Sequence, residues 1–223
     1  MDFLRYFVFN EHSRYKLPIH AIAVKTPSIA PNEDYNMTSA HAKISRLPMP
    51  LSIHPVAIPG IKGLIGITAC PGLKDETTRF SLYGERLIND LVAIHNWGAA
   101  ALVTLLDDFE LSTLGVKDLP NKAKQLNIQW RHLPIGNRNL PDDTFEEKWS
   151  LVGPQLRQLL QDGKRVVIHC KEGIGRSGLI AARMLIEFGV DPENAINTVR
   201  QAQPGSLELQ THEEYCYSLA DKH

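Results

Sequence analysis

Cys170 and Arg176 stand at the two ends of a glycine-rich turn, Cys-Lys-Glu-Gly-Ile-Gly-Arg, which is entered from the apolar run Val166 to His169 and left through Ser177-Gly178. A thiol at its ordinary pKa of about 8.5 is only a few per cent thiolate near neutrality, so a nucleophilic cysteine needs positive potential around it. The turn offers three sources. Its backbone N–H groups converge where Leu179 to Phe188 reads as a buried helix, the helix dipole adds to them, and the Arg176 guanidinium stays charged at any relevant pH. Such a nest of amides, built from Lys171, Glu172, Gly173, Ile174 and Gly175, suits a phosphate dianion, and a guanidinium fork grips two of its oxygens. Ser177 can donate its hydroxyl proton to the sulfur, and His169 braces the loop from behind. The chemistry these residues suit is transfer of a phosphoryl group to sulfur.

Gly173-Ile-Gly175-Arg-Ser-Gly178 also satisfies G-x-G-x-x-G between a strand and a helix, the spacing of a dinucleotide-binding turn. That fold needs a second nucleotide-binding half, and no further strand pattern follows Gly178. A Walker loop is excluded, because no Gly-Lys-Ser/Thr follows the glycines.

His-Cys-x5-Arg-Ser-Gly resembles the signature loop of the cysteine-dependent protein tyrosine and dual-specificity phosphatases. Cys70-Pro-Gly, the Leu105 to Val116 stretch with Glu110-Leu111, and His132-Leu-Pro-Ile135 resemble the kinase-associated phosphatase branch, the cyclin-dependent kinase inhibitor phosphatases. The resemblance spans roughly residues 55 to 220. It implies the phosphatase fold, a phosphocysteine intermediate with Cys170 as nucleophile and Arg176 as phosphate clamp, no metal or other cofactor, and a phosphorylated protein as substrate.

The family supplies a proton to the departing oxygen from an Asp on a mobile loop, typically after a Pro-Ile-x stretch. This sequence has Asn137 there, so either the role has moved to Asp142 or Asp143 a few residues on, or turnover is slow. Both also suit the cap and first turn of a following helix. Asp107, Asp108 and Glu110 follow the Ala100 to Leu106 strand, at the edge of the same crevice, and are weaker candidates for the acid that read first as solvated loop carboxylates. Gln210-Thr211 resembles the glutamine loop that orients the attacking water, although Gln210 equally suits the start of a last helix with Leu207, Leu209, Tyr215 and Leu219 on its apolar face. Glu172 is expected to point outward, and Lys171 either to attract substrate or to pair with Glu172 at the rim. Two other functions remain open: a phosphoinositide or small phosphoester phosphatase, and a phosphate-binding module without an effective acid.

The elements that must position these residues alternate from Gly63 onward. Strands are expected at Leu64 to Thr68, Ala100 to Leu106, Ile128 to Leu133 and Arg165 to His169. Helices are expected near Phe80 to Trp97, Asp118 to Leu126 and Asp143 to Leu160, the last kinked at Gly153-Pro154. This order predicts an α/β fold, a mostly parallel central sheet flanked by helices of the protein tyrosine phosphatase kind. Residues 1–54, rich in Pro and weakly periodic, are expected to form a loosely packed extension, with an edge strand at Phe3 to Phe9, before a catalytic domain over 55–223. His12, His20 and His41 lack metal-ligand spacing and read as surface residues.

At 223 residues and 43% hydrophobic content the chain can bury one good core. A formal charge of −1 and no long basic run argue against nucleic acid or an anionic membrane as partner. No signal peptide and no membrane-spanning stretch is evident. Three scattered cysteines, at 70, 170 and 216, suit a reducing cytoplasm. Cys216 and Cys70 read as core residues, with a protective disulfide between Cys70 and Cys170 as a second reading for the latter.

Overall fold

A computed structural model gives the fold of residues 51–73, 83–136 and 140–220. Contacts divide the chain into Met1–Ala42 and Lys43–His223. The first unit, with the expected strand at Phe3 to Phe9 and His12, His20 and His41, lies outside the described residues, as does Asn137.

Five strands and seven helices are described. In chain order they are β1 (His54–Ala57), β2 (Leu64–Thr68), α1 (Tyr83–Asn96), β3 (Ala99–Thr104), α2 (Asp108–Thr113), α3 (Leu119–Gln125), β4 (Gln129–His132), α4 (Asp143–Gln161), β5 (Arg165–His169), α5 (Gly175–Glu187), α6 (Pro192–Ala202) and α7 (Gln210–Ala220). The sheet order is β1-β2-β5-β3-β4, with β1 antiparallel to β2 and every other pair parallel. The mostly parallel sheet flanked by helices is therefore present.

Parallel strands covered on both faces must be apolar on both, and β5 shows how. Val166 and Ile168 turn to one face, packing with Phe145, Trp149 and Leu156 of α4, Leu179 to Ile186 of α5 and the inward residues of α6 and α7. Val167 turns to the other, among Leu87, Leu91 and Ile94 of α1, Leu111 of α2, and Leu119 and Ala123 of α3. Each fully buried Val, Leu or Ile contributes about 1.5–3 kcal/mol relative to exposure, so the central strand is fixed in register by both layers.

Three expectations change in detail. α4 runs as one helix through Pro154 to Gln161, with Val152 and Leu159 only partly buried beside Trp149 and Leu156. The Asp107–Glu110 stretch is not a solvated loop but the start of α2, closed by a capping box: Glu110 N–H donates to Asp107 Oδ1 (2.7 Å) and Asp107 N–H donates to Glu110 Oε2 (3.2 Å). On α7 the buried residues are His212, Cys216 and Leu219, whereas Leu209 is 42% exposed, because the helical period runs 212, 216, 219.

Candidate active site

The C-terminal ends of β5, β3 and β4 lie side by side, and the loops leaving them meet around one cavity. β5 delivers His169 and Cys170, and the chain then curls through Lys171–Ile174 into the first turn of α5. Gly173 makes that curl possible. Its φ is +74°, and a Cβ there would stand 2.5 Å from the carbonyl carbon of Thr68 on β2, so the position excludes a side chain on both counts. Lys171 carbonyl accepts from Cys70 N–H at 3.1 Å, tying the loop to the end of β2 from behind.

Cys170 Sγ lies 3.4 Å from Ser177 Oγ and is 4% exposed. Burial alone would push its thiol pKa up, but the Ser177 hydroxyl and the backbone N–H groups of Ser177, Ile174 and Gly173 outweigh it and hold the pKa below the usual thiol value. Behind it, His169 is fully enclosed. The Cys170 carbonyl can only accept, so His169 Nδ1–H donates to it (3.2 Å), and the neutral ring's Nε2 accepts the Thr104 hydroxyl proton (2.7 Å), Thr104 Oγ1 in turn accepting from Trp130 Nε1–H (2.8 Å). That chain fixes the tautomer. Burial lowers the His169 pKa to about 4, so the ring braces the loop as a neutral group.

Arg176 is 4% exposed and is held by two other strand ends. Its Nη1 donates to the carbonyl of Ile135 (2.8 Å) and, more weakly, to that of Leu105 (3.4 Å), and Nη1 and Nη2 fork onto Glu110 Oε2 and Oε1, both at 2.8 Å. Burial favours loss of its proton, but Glu110 and the neighbouring Cys170 charge more than compensate and raise its pKa. Glu110, read from the sequence as a solvated carboxylate, is thus the partner that aims the guanidinium. Its signal was the Asp107-x-x-Glu110 spacing of a capping box, which marks a helix start and so an ordered side chain.

Cys170, Arg176, Ile174 and Gly175 line a cavity of about 420 Å³ with Lys171 and Glu172, both exposed. Its far wall is Gly205, Glu208, Leu209 and His212. Gln210 is exposed and not part of this lining, its amide donating instead to Glu214 Oε1 one turn on (2.8 Å). His212, which the sequence reading passed over, occupies the wall in its place.

Asp142 and Asp143 are exposed and not among the lining residues. Asp142 is the N-cap of α4, its Oδ1 accepting from Phe145 N–H at 2.8 Å, and Asp143 is the first residue of the helix. Cys70 and Cys216 are buried and all three cysteines are free. Burial pushes the Cys70 thiol up to about 12 and the Cys216 thiol likewise, so neither is a nucleophile beside Cys170. Among the described residues no cluster of His, Cys, Asp and Glu is placed to hold a metal, and no helix is long and apolar enough to cross a membrane.

The family model "Polymorphic toxin system, DSP-PTPase phosphatase" matches residues 84–190. Cyclin-dependent kinase inhibitor 3 of Rattus norvegicus is 27% identical over 192 residues, covering 85% of this chain and 86% of that protein. The Homo sapiens protein of the same name is 28% identical over 155 residues, 69% of each chain. Among solved structures, kinase-associated phosphatase with its catalytic-site cysteine replaced by serine superposes with a TM-score of 0.69 at 24% identity, covering 79% of this chain and 97% of that one, a likeness of fold.

Proposed function

We propose, from the premise that this chain belongs to the cysteine-dependent protein tyrosine and dual-specificity phosphatase superfamily, that it hydrolyses phosphotyrosine, and also phosphoserine and phosphothreonine, in protein substrates through a phosphocysteine intermediate. The observation that carries the reading is the Cys170 thiol, held below its usual pKa by Ser177 and three backbone amides at the floor of a cavity that Arg176 also lines.

The Cys170 thiolate attacks phosphorus, the bond to the substrate oxygen breaks, and that oxygen takes a proton from Asp142 or Asp143 at the start of α4. Arg176 and the loop amides from Lys171 to Gly175 stabilise the equatorial oxygens as charge builds on them. Water then cleaves the sulfur–phosphorus bond, and Ser177 stabilises the departing thiolate. Gln210 would join the water-handling step only by turning away from Glu214.

Steady-state hydrolysis of a panel of phosphotyrosine, phosphoserine and phosphothreonine peptides beside inositol phosphates tests the reading. The expected result is metal-independent turnover of phosphopeptides that Cys170→Ser abolishes. Turnover of inositol phosphates in preference to every peptide would overturn the protein substrate, and activity that survives Cys170→Ser would overturn the mechanism.

A further inference from the structure

The segment between α6 and α7 is built so that Glu208 faces the Cys170 cavity. Leu207 is fully buried with a φ of +57°, left-handed backbone that a leucine adopts only where its surroundings impose it. Arg200 of α6 imposes it, donating from Nη2 to the Leu207 carbonyl (2.7 Å) and from Nε to that of Ser206 (3.3 Å), while Gly205 turns the chain at a φ of +85°. The turn delivers Glu208 and Leu209 to the cavity wall. Glu208 Oε1 and Ile174 Cγ2 of the signature loop lie 3.3 Å and 3.6 Å from one point, where a Cβ on Gly205 would stand, so the carboxylate sits beside the loop.

The charges around this cavity do not suit a phosphate that arrives alone. Among the described lining residues the charged groups are the Cys170 thiolate, Lys171, Glu172, Arg176 and Glu208, and burial lowers the His212 pKa and so favours its neutral ring. Arg176 forks onto Glu110, which already offsets its charge. The side chains of Lys171, Glu172 and Glu208 have no hydrogen-bond or ion-pair partner among the described residues. Even with Lys171 swung onto one carboxylate, the other is left over. Surplus negative charge beside a dianion weakens binding unless the substrate carries a cation of its own.

We infer that Glu208, acting with Glu172, is a specificity-determining residue that selects phosphoproteins with a Lys or Arg flanking the phosphorylated residue. The inference rests on the phosphatase reading above and narrows its substrate class. The substrate's cationic head meets the carboxylates, and its aliphatic stem lies along Leu209, which is 42% exposed on the same wall. An acidic flank, or the second phosphate of an inositol polyphosphate, meets the same carboxylates with like charge and is turned away.

Phosphotyrosine peptides identical except for Arg, Ala or Glu on both sides of the phosphorylated residue test this through kcat/KM, read as the Arg-to-Ala ratio within each protein so that any general loss of activity cancels. In wild type the ratio should be about tenfold, the size of one charge-assisted contact. It should reside in KM and shrink as sodium chloride is raised, with the Glu peptide slowest. Glu208→Gln should lower the ratio to about threefold, and Glu208→Gln combined with Glu172→Gln to about one. Glu208→Lys should reverse the order, making the Glu peptide better than the Arg peptide. A wild-type ratio within about twofold of one, or the wild-type ratio persisting in both Glu208→Gln and Glu208→Lys, would overturn the role of Glu208 and leave the phosphatase standing. If none of these peptides is turned over in a Cys170-dependent way, the phosphatase reading falls and the inference with it.

Discussion

At the scale of single residues, the feature least expected from the sequence is that Arg176 reaches the cavity already paired. Its guanidinium forks onto Glu110 at 2.8 Å on both sides, and the pair is largely buried, with 5% and 16% of the side-chain surfaces exposed. A bidentate contact of this kind fixes the plane of the guanidinium, which a point charge could not do. Glu110→Gln keeps one acceptor but loses the second and the charge. The expected outcome is a fall in kcat/KM of about tenfold, the size expected for losing one charge-assisted hydrogen bond of about 1.5 kcal/mol, with vanadate binding weakened in parallel. Equal kcat/KM in the variant would show that the two carbonyls of Ile135 and Leu105 aim Arg176 unaided. The Cys170–Arg176 spacing was legible because both residues sit in one turn. Glu110 was not, since its partner lies 66 residues away and no local pattern encodes that distance. His212 was missed for a related reason: a histidine on the apolar stripe of a last helix reads as core until the loop it faces is known.

At the scale of elements, α4 competes with the proposed chemistry for a carboxylate. Asp142 spends Oδ1 on the Phe145 amide at the helix start, and Asp143 follows it in the first turn. Asn caps a helix about as well as Asp, whereas Ala does not, at a cost of about 1 kcal/mol. Asp142→Ala should therefore lower unfolding free energy by about that amount in urea titrations, and Asp142→Asn should leave it nearly unchanged. With stability thus controlled, an alkyl phosphoester reads out the acid: one of Asp142→Asn and Asp143→Asn should slow turnover by about a hundredfold while sparing aryl phosphate. Undiminished alkyl turnover in both would remove this pair from the mechanism. The long helices were readable because their apolar period persists over several turns, and the interior strands because each is a short continuous apolar run, buried on both faces. β1 is four residues long and carries Pro55, and α2 is six residues, so neither held enough pattern to be seen.

At the scale of the whole molecule, alternation of strands and helices announced a covered parallel sheet, but not its order. That β5 sits between β2 and β3 depends on crossovers and on which faces close over which helices, as the two clusters around Val166, Val167 and Ile168 show. The central place of β5 buries His169 completely, which makes the fold itself sensitive to acid. Desolvation holds the folded pKa at about 4 against 6.5 for the free side chain. Above 6.5 both states carry a neutral ring and the group adds no pH dependence. Between 6.5 and about 4 the unfolded chain binds a proton that the folded chain refuses, so stability falls as pH falls. The slope from this one group approaches 1.4 kcal/mol per pH unit, or about 3 kcal/mol across the window. Urea unfolding at several pH values from 7.5 to 4.5 measures it, and comparison with His169→Gln isolates it, because every other titrating group contributes to both proteins alike. The variant should be less stable at pH 7.5, having lost the link from Thr104 to the Cys170 carbonyl, yet its stability should decline less steeply below pH 6.5. Parallel curves would mean that the folded imidazole binds its proton as readily as the unfolded one, with His169 Nε2–H then donating to the Thr104 hydroxyl oxygen while Trp130 Nε1–H still donates to it.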